Sequence, residues 1–164
     1  MEVKVFVEIP KGSKNKYERD ENTGEIMLDR TLYGSNVFPF DYGFIQDTKG
    51  QDDDPLDAVL LVTNPTFSGC VVKAENIGYL DKEDEGGNDH KVLLIPIKKV
   101  DARWQDVQDV KDLSGHQRNE IKDFFETYKR LEPGKWVKVR DFKSKEEANK
   151  ILKEAQERFK KELT

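Results

Sequence analysis

Four carboxylates stand within six positions of the chain, in the segment Asp52-Asp53-Asp54-Pro55-Leu56-Asp57. Neighbouring carboxylates raise one another's pKa, so this crowding is costly unless the acids spread into water or take up a cation. Pro55 stiffens the backbone, and the apolar run 58–62 draws it towards a core. Oxygen ligands favour a hard cation, which indicates a site for Mg²⁺ or Mn²⁺ before zinc. Taken alone, the segment fits an acidic turn ahead of a strand equally well.

The other residue types that could do chemistry are lysines, arginines and tyrosines. The chain has no Walker A loop and no GxGxxG, GxSxG, CxxC or HExxH motif, and its two histidines are too few for a zinc site. Two metals about 3.5–4 Å apart can acidify a shared water, a carboxylate can take its proton, and cations can stabilise phosphoryl groups. The residues that would have to converge for this chemistry are Glu8, Lys16, Glu18, Arg30, Tyr42, Asp52, Asp54, Asp57, Asp84, Asp89, Lys91, Tyr128 and Lys129.

Composition narrows the class of protein. The chain has 164 residues, of which 35% are hydrophobic, so we expect a single domain, residues 1–164, with a real core. A formal net charge of −5 argues against nucleic acid or an anionic membrane as partner. The lone Cys70 allows no internal disulfide, and no signal peptide or membrane-spanning run is evident, so we expect a cytoplasmic protein.

Hydrophobic patterning predicts several short strands. Residues 3–9 alternate between apolar and polar side chains, as in a half-buried strand. The arms 14–20 and 25–30 flank a turn and predict a hairpin, with Lys16 and Glu18 on one face and Arg30 on the face of Leu28. The aromatic segment 37–44 predicts a core plug. Further strands are expected at 58–62, 70–80, 92–97 and 135–139.

The remaining segments predict a loop and two helices. Residues 81–91 form an acidic stretch that predicts a loop between strands and does not match an EF-hand, because Val92 stands at the closing position. A helix is expected from a cap at Ser114 to Leu131, and a second helix follows a cap at Ser144. Together these elements predict an α+β fold in which helices pack outside a β-barrel.

The acidic segment resembles the D-x-D-P-x-D signature of the soluble family I inorganic pyrophosphatases. The short length of the whole chain resembles that of the prokaryotic branch of this family. The resemblance extends over nearly the whole chain through Glu8-Ile9-Pro10, Lys16-Tyr17-Glu18, Asp29-Arg30, the segment 38–43, Asp84 with Asp89 and Lys91, and the segment 124–129. It implies a mainly β, OB-like five-stranded barrel with additional strands and two flanking helices. It also implies Mg²⁺-dependent hydrolysis of pyrophosphate to two phosphates, with Mn²⁺ as a possible substitute, and commonly a homohexamer.

The resemblance further implies roles for individual residues. Asp54 would be the general base on a water that bridges two metals, and Asp57 would bridge them. The metals would be held by Asp52, Asp57, Asp84, Asp89, Glu18 and Glu8. The phosphoryl groups would be bound by Lys16, Arg30, Tyr42, Lys91, Tyr128 and Lys129.

Two positions depart from the family's pattern, and two other classes of function stay open. Phe38 stands where many members have tyrosine, and we assign it packing but no catalytic role. Asp53 stands where glycine is common, and we expect it to point to solvent without binding metal. The alternatives are an OB-type nucleic-acid-binding module, which would need a basic groove, and a Ca²⁺-binding structural module, which would give the cations no purpose.

Overall fold

The protein is built around a closed barrel of five β-strands in the computed structural model, which describes all 164 residues. The strands are β1 (Glu2–Ile9), β2 (Asn15–Arg19), β3 (Ile26–Thr31), β4 (Asp41–Ile45), β5 (Asp57–Leu60), β6 (Val71–Asp84), β7 (Gly87–Asn88), β8 (Lys91–Pro96) and β9 (Val137–Ser144). The helices are α1 (Gly115–Thr127) and α2 (Lys145–Glu162), with short 3-10 helices at Ala102–Trp104 and Val110–Asp112.

The barrel closes because β1 pairs with both β4 and β6, so that the path β1-β4-β5-β8-β6 returns to β1. Closure leaves no free sheet edge among these five strands. Every pairing in the barrel is antiparallel except that of β5 with β8. The long strand β6 continues beyond the barrel and pairs there with β7 and β9, while β2 and β3 form a separate hairpin. The expected α+β fold, an OB-like five-stranded barrel with additional strands and two helices, is confirmed.

Two hydrophobic clusters fill the core, and each holds one helix against the barrel. The alternation predicted in the first strand is confirmed, since Val3, Val5, Val7 and Ile9 are all buried. The cluster under α2 contains Leu152 of that helix. The cluster under α1 is aromatic and includes the predicted core plug, with the Phe38 ring centroid 4.7 Å from that of Phe124. The two clusters therefore fix both helices relative to the strands that carry the acidic residues.

Both helices begin where the sequence predicts, but the first one ends earlier. The hydroxyl of Ser114 accepts a hydrogen bond from the backbone N–H of Gln117, and the Gln117 side chain accepts one from the backbone N–H of Ser114. The helix then ends at Thr127 rather than at Leu131, and turns lead to Gly134, which has a φ of 76°. This early end places the segment after the helix at the cavity described below.

Besides the end of the first helix, two local predictions are wrong. The acidic stretch expected to be a loop is partly strand, because β6 continues through residues 81–84 to pair with β9. In the hairpin, Lys16 pairs with Arg30 but Tyr17 pairs with Leu28, so an extra residue bulges out between them. The bulge shifts the alternation by one position, and Arg30 therefore shares a face with Lys16 instead of with Leu28.

Candidate active site

One cavity of about 360 Å³ brings together every residue for which the sequence predicts a chemical role. Its lining includes acids, bases and tyrosines that lie up to 121 positions apart in the chain, from residue 8 to residue 129. The thirteen predicted residues in that lining are Glu8, Lys16, Glu18, Arg30, Tyr42, Asp52, Asp54, Asp57, Asp84, Asp89, Lys91, Tyr128 and Lys129. The spacing of these residues in the sequence does not show that they lie together, and the fold is what brings them into one cavity.

Several of these side chains lie at the ends of strands, and others lie where α1 ends. Glu8 lies near the end of β1, and the hairpin β2–β3 is positioned against it because a Glu8 carboxylate oxygen accepts the backbone N–H of Arg19 at 2.8 Å. Asp57 opens β5 and Lys91 opens β8, and these two strands run parallel, so both residues lie at the same end of the barrel. Tyr128 is the C-terminal cap residue of α1.

The acidic segment that precedes β5 is a tight loop. The backbone N–H of Gly50 donates to the carbonyl of Asp54 at 2.7 Å, and the carboxylate of Asp52 accepts the backbone N–H of Asp54 at 3.1 Å. Asp53 lies at the tip with a φ of 70° and a side chain that is 84% exposed. Its carboxylate lies 3.6 Å from the Lys49 ammonium, outside the cavity, as expected for a residue that points to solvent.

Desolvation and crowding act on the remaining acid of this loop. Burial, and then the neighbouring carboxylate of Asp52, raise the pKa of Asp54. The side chain keeps an exposed position on the loop and lines the cavity. A carboxylate with a raised pKa is a stronger base than a free aspartate, which suits it to accept a proton.

A buried lysine occupies the centre of the acidic group. The ammonium of Lys91, only 4% exposed, donates to Asp57 at 2.7 Å, to Asp89 at 2.9 Å and to the Tyr42 hydroxyl at 2.6 Å. Burial by itself would lower the pKa of Lys91, but Asp57, Tyr42 and Asp89 raise it well above its usual value. The ammonium is therefore charged and compensates part of the negative charge at the cavity floor.

The acids around this lysine respond in opposite directions. Burial, reinforced by the nearby Asp89, raises the pKa of Asp57 despite Lys91. Burial also acts to raise the pKa of Asp89, but the ammonium groups of Lys91 and Lys82 outweigh it and hold that pKa well below its usual range. In this pair Asp89 is the carboxylate that stays ionised, and Asp57 is the one that would gain from a further cation.

The pKa of Glu8 is also raised. Burial raises the pKa of Glu8 to about 7, against the lowering effect of its hydrogen bond from Arg19, and Asp57 and Glu18 add to the increase. Without a further positive charge, this group is therefore partly protonated near neutral pH. A bound cation would restore its ionised form.

Two cations of the cavity, Arg30 and Lys129, are paired with acids, and two of these acids, Glu132 and Glu85, have no predicted role in the sequence analysis. The Arg30 guanidinium lies 2.9 Å from the carboxylate of Glu132 through Nε and donates to it at 3.2 Å through Nη2. The Lys129 ammonium lies 3.0 Å from Asp84 and 3.3 Å from Glu85. Glu132 follows the predicted helix and carries no local motif, so only its contact across 102 positions identifies it.

The two tyrosines of the cavity are neutral phenols, and the hydroxyl of Tyr42 accepts the hydrogen bond from Lys91. Burial raises the pKa of Tyr42 well above its usual value, and burial also raises that of Tyr128. Both rings belong to the aromatic cluster, where Tyr128 stacks on Phe124 with a centroid distance of 5.1 Å. Phe38 is buried in the same cluster, as its assigned packing role requires, and does not line the cavity.

The donor set suits a hard cation, although no three acids are clustered as a ready-made metal site. In this structure Asp57, Asp84 and Asp89 are each paired with a lysine instead. All the acids that line the cavity offer oxygen donors, which match Mg²⁺ and Mn²⁺. Burial is the main cause of the raised pKa values of Glu8 and Asp57, so a bound divalent cation would favour the charged forms of both groups.

The chain is similar to known proteins both in sequence and in fold. None of the helices has the length and apolar character needed to cross a membrane. A sequence model of the family described as inorganic pyrophosphatase matches residues 5–160. The inorganic pyrophosphatase of Nanoarchaeum equitans is 47% identical over 162 residues, 99% of this chain and 100% of that protein. The inorganic pyrophosphatase of Helicobacter pylori strain J99 is 50% identical over 151 residues, 92% of this chain and 87% of that one.

Solved structures agree with the sequence matches. The structure of inorganic pyrophosphatase from Helicobacter pylori superimposes with a TM-score of 0.95 at 46% identity, covering 97% of this chain and 94% of that one. The enzyme of the same name from Thermus thermophilus superimposes with a TM-score of 0.94 at 42% identity, covering 97% and 91% respectively. The similarity therefore includes both the barrel and the segments that line the cavity.

Proposed function

The chain belongs to the inorganic pyrophosphatase family, whose members are hydrolases of pyrophosphate, and from this premise we propose that it converts pyrophosphate to two orthophosphates with Mg²⁺ as its metal. The observation that carries the proposal is one cavity whose lining contains both acids and the cations Lys16, Arg30 and Lys129. A doubly charged metal and a phosphoanhydride substrate need these two kinds of lining in one place.

The metal-binding part comprises the oxygen donors of the cavity. The acids proposed to hold Mg²⁺ are Asp52, Asp57, Asp84, Asp89, Glu18 and Glu8. When bound, Mg²⁺ would neutralise phosphate charge and lower the pKa of a coordinated water. Mn²⁺ is a suitable substitute, because it accepts the same oxygen ligands.

The substrate-binding part comprises hydrogen-bond donors that carry positive charge or a neutral hydroxyl. Arg30, Tyr128 and Lys129 would bind one phosphoryl group, and Lys16 with Tyr42 and Lys91 would bind the other. The carboxylate of Glu132 accepts a hydrogen bond from the guanidinium of Arg30, and this ion pair fixes the orientation of the guanidinium in the cavity. Charged donors fixed in this way stabilise the negative charge that shifts to the leaving phosphate as the bond breaks.

Asp54 is proposed as the general base that takes a proton from the attacking water. It lines the cavity with the acids proposed to bind metal, and its raised pKa increases its basicity. The hydrogen bond from the backbone N–H of Gly50 to the carbonyl of Asp54 fixes the backbone of the loop from which this carboxylate projects. General base catalysis of this kind contributes about 10²- to 10⁴-fold to a rate.

We also propose the wider setting that the resemblance implies. The protein would be a single domain over residues 1–164, cytoplasmic, and a homohexamer without nucleic-acid or membrane partners. The family match over residues 5–160 supports the first of these, and the net charge of −5 supports the last. Light scattering on the purified protein measures the number of subunits, and a monomeric mass would remove the hexamer from this proposal.

Phosphate release from pyrophosphate is the test of the function. We expect the purified chain to release phosphate with Mg²⁺ present and to release none after chelation with EDTA. Absence of release with either Mg²⁺ or Mn²⁺ would contradict the proposal and return attention to the nucleic-acid-binding and Ca²⁺-binding alternatives. A titration with Ca²⁺ or with single-stranded oligonucleotides in the same preparation separates those two.

A further inference from the structure

A second lysine, Lys82, is completely buried beneath the cavity and has no part in the mechanism proposed above. Its side chain is 0% exposed, and it does not line the cavity. Lysine is almost never fully buried in a protein unless it is paired, because removing an ammonium from water is costly. An apolar side chain of similar size would fill the same space without that cost. The presence of a charge at this position therefore requires an explanation.

The contacts of Lys82 lead to one partner, Asp89. The ammonium donates to Oδ2 of Asp89 at 2.7 Å, and it lies 5.5 Å from the ring centroid of Phe125. The backbone N–H of Asp89 also donates to the carbonyl of Lys82 at 2.9 Å. Backbone and side chain thus hold the same pair together, and the register of β6 with β9 fixes Lys82 opposite Val139.

The two lysines on Asp89 differ in their freedom to exchange partners. Lys91 binds Oδ1 of Asp89 at 2.9 Å, lines the cavity, and also donates to Asp57 and Tyr42. It can therefore transfer its hydrogen bonds to a ligand in the cavity. Lys82 has no side-chain hydrogen-bond partner other than Asp89 and no exposed surface, so it stays on Oδ2 whatever binds in the cavity.

We propose that Lys82 is a positioning residue that acts through Asp89, as a built-in cation that holds Oδ2 permanently and lowers the affinity of the cavity for a divalent cation. The inference rests on the proposed function in one respect, namely that Asp89 is among the metal-binding acids. A cation bound to Asp89 would lie one carboxylate away from a fixed positive charge, and the two repel each other. This repulsion keeps the crowded acids from binding the metal more tightly than the reaction needs.

The test is a titration of substrate-free protein with Mn²⁺, in which the electron paramagnetic resonance signal of the free ion measures how much Mn²⁺ remains unbound. Lys82→Met keeps the length of the side chain and removes the charge, and we expect its Kd for Mn²⁺ to be about tenfold lower than that of the natural protein. Lys82→Arg keeps the charge and should leave the Kd within about twofold. Tighter binding is a gain that general loosening of the fold would not produce.

The chain offers a matched control. Lys122 also pairs with an aspartate, Asp141 at 3.3 Å, and lies 5.5 Å from the ring of Phe142, but it is outside the cavity. Lys122→Met should leave the Kd for Mn²⁺ unchanged. Thermal melting by circular dichroism verifies that each variant is folded, and if Lys82→Arg does not fold, the comparison of the two methionine variants still decides the matter.

The outcomes separate this inference from the proposed function. An unchanged or weaker Kd in folded Lys82→Met would overturn the role of Lys82, even if the natural protein hydrolyses pyrophosphate. A natural protein that binds Mn²⁺ but releases no phosphate would refute the proposed function, and the Mn²⁺ titration would still decide the role of Lys82. In an active enzyme, Lys82→Met should also need less Mg²⁺ for half-maximal activity, whereas Lys122→Met should not.

Discussion

The carboxylate of Glu8 makes the stability of the metal-free protein depend on pH in a way that one substitution removes. Its pKa is raised from 4.5 to about 7, chiefly by burial. In the folded protein Glu8 therefore takes up a proton at a pH at which the unfolded chain has already lost it. The stability that this proton uptake contributes is complete below about pH 4.5 and is lost as the pH rises through about 7. Glu8→Gln mimics the protonated form at every pH and should remove this dependence.

The size of the effect follows from the shift. The change from 4.5 to about 7 corresponds to a ceiling of about 3 kcal/mol of unfolding free energy. Glu8 is only half-buried, and solvent screening reduces this ceiling to about 2 kcal/mol. Glu8→Gln should therefore gain about 2 kcal/mol relative to the natural protein between about pH 5 and about pH 8. The hydrogen bond from the backbone of Arg19 can be retained by the amide oxygen.

The assay is urea unfolding at fixed protein concentration in EDTA, repeated across this pH range for both proteins. Effects of carboxylates that are remote from Glu8 cancel in the difference between the two curves. Glu2→Gln, an exposed position on the same strand, is the matched control and should follow the natural protein at every pH. Parallel curves for Glu8→Gln and the natural protein would refute the assignment of an uncompensated acid at this position.

Two further substitutions test the charges and the loop of the cavity. Lys91→Met leaves Asp57 and Asp89 without their shared ammonium and should lower the unfolding free energy of the metal-free protein by about 2 kcal/mol. The cost is smaller than for a fully buried pair, because the Asp57 side chain is 37% exposed. Mg²⁺ should restore part of this stability in urea unfolding, and a loss that Mg²⁺ does not change would contradict this reasoning. Asp53→Gly removes the conformational strain of a positive φ of 70° at the loop tip, so it should raise the unfolding free energy by about 0.5 kcal/mol. Its turnover should stay within about twofold of that of the natural protein. A lower melting temperature would contradict the claim that Asp53 is strained.

The regular parts of the fold were predictable from local sequence because local physics determines them. Alternation in β1 and the capping boxes at Ser114 and Ser144 involve side chains within a few positions of one another. The extension of β6 was not predictable in this way, since residues 81–84 carry charges that are typical of a loop. They form a strand because β9 returns from the end of the chain to pair with them.

In the candidate site, too, some features are predictable from the sequence and others depend on contacts that only the fold creates. Thirteen residues that line one cavity are predictable from the resemblance and from residue type, but their spacing in the sequence does not show that they lie together. Arg30 was placed on the wrong face because a bulge of one residue has no clear sequence pattern. Lys82 and Glu132 could not be predicted, because a buried lysine or glutamate has no sequence pattern that distinguishes it from an exposed one. Only the fold shows that Lys82 is buried on Asp89 and that Glu132 binds Arg30.

The comparison of Asp54→Asn with Asp53→Asn in the pyrophosphate assay tests the central claim most directly. Both substitutions remove one charge from the same loop, but only Asp54 lines the cavity, while Asp53 is exposed at the tip. With saturating Mg²⁺, turnover of Asp54→Asn should fall by about 100-fold or more, and that of Asp53→Asn should stay within about twofold of the natural protein. Near-normal phosphate release by Asp54→Asn, or an equal loss in both variants, would contradict the claim that this cavity hydrolyses pyrophosphate with Asp54 as its base.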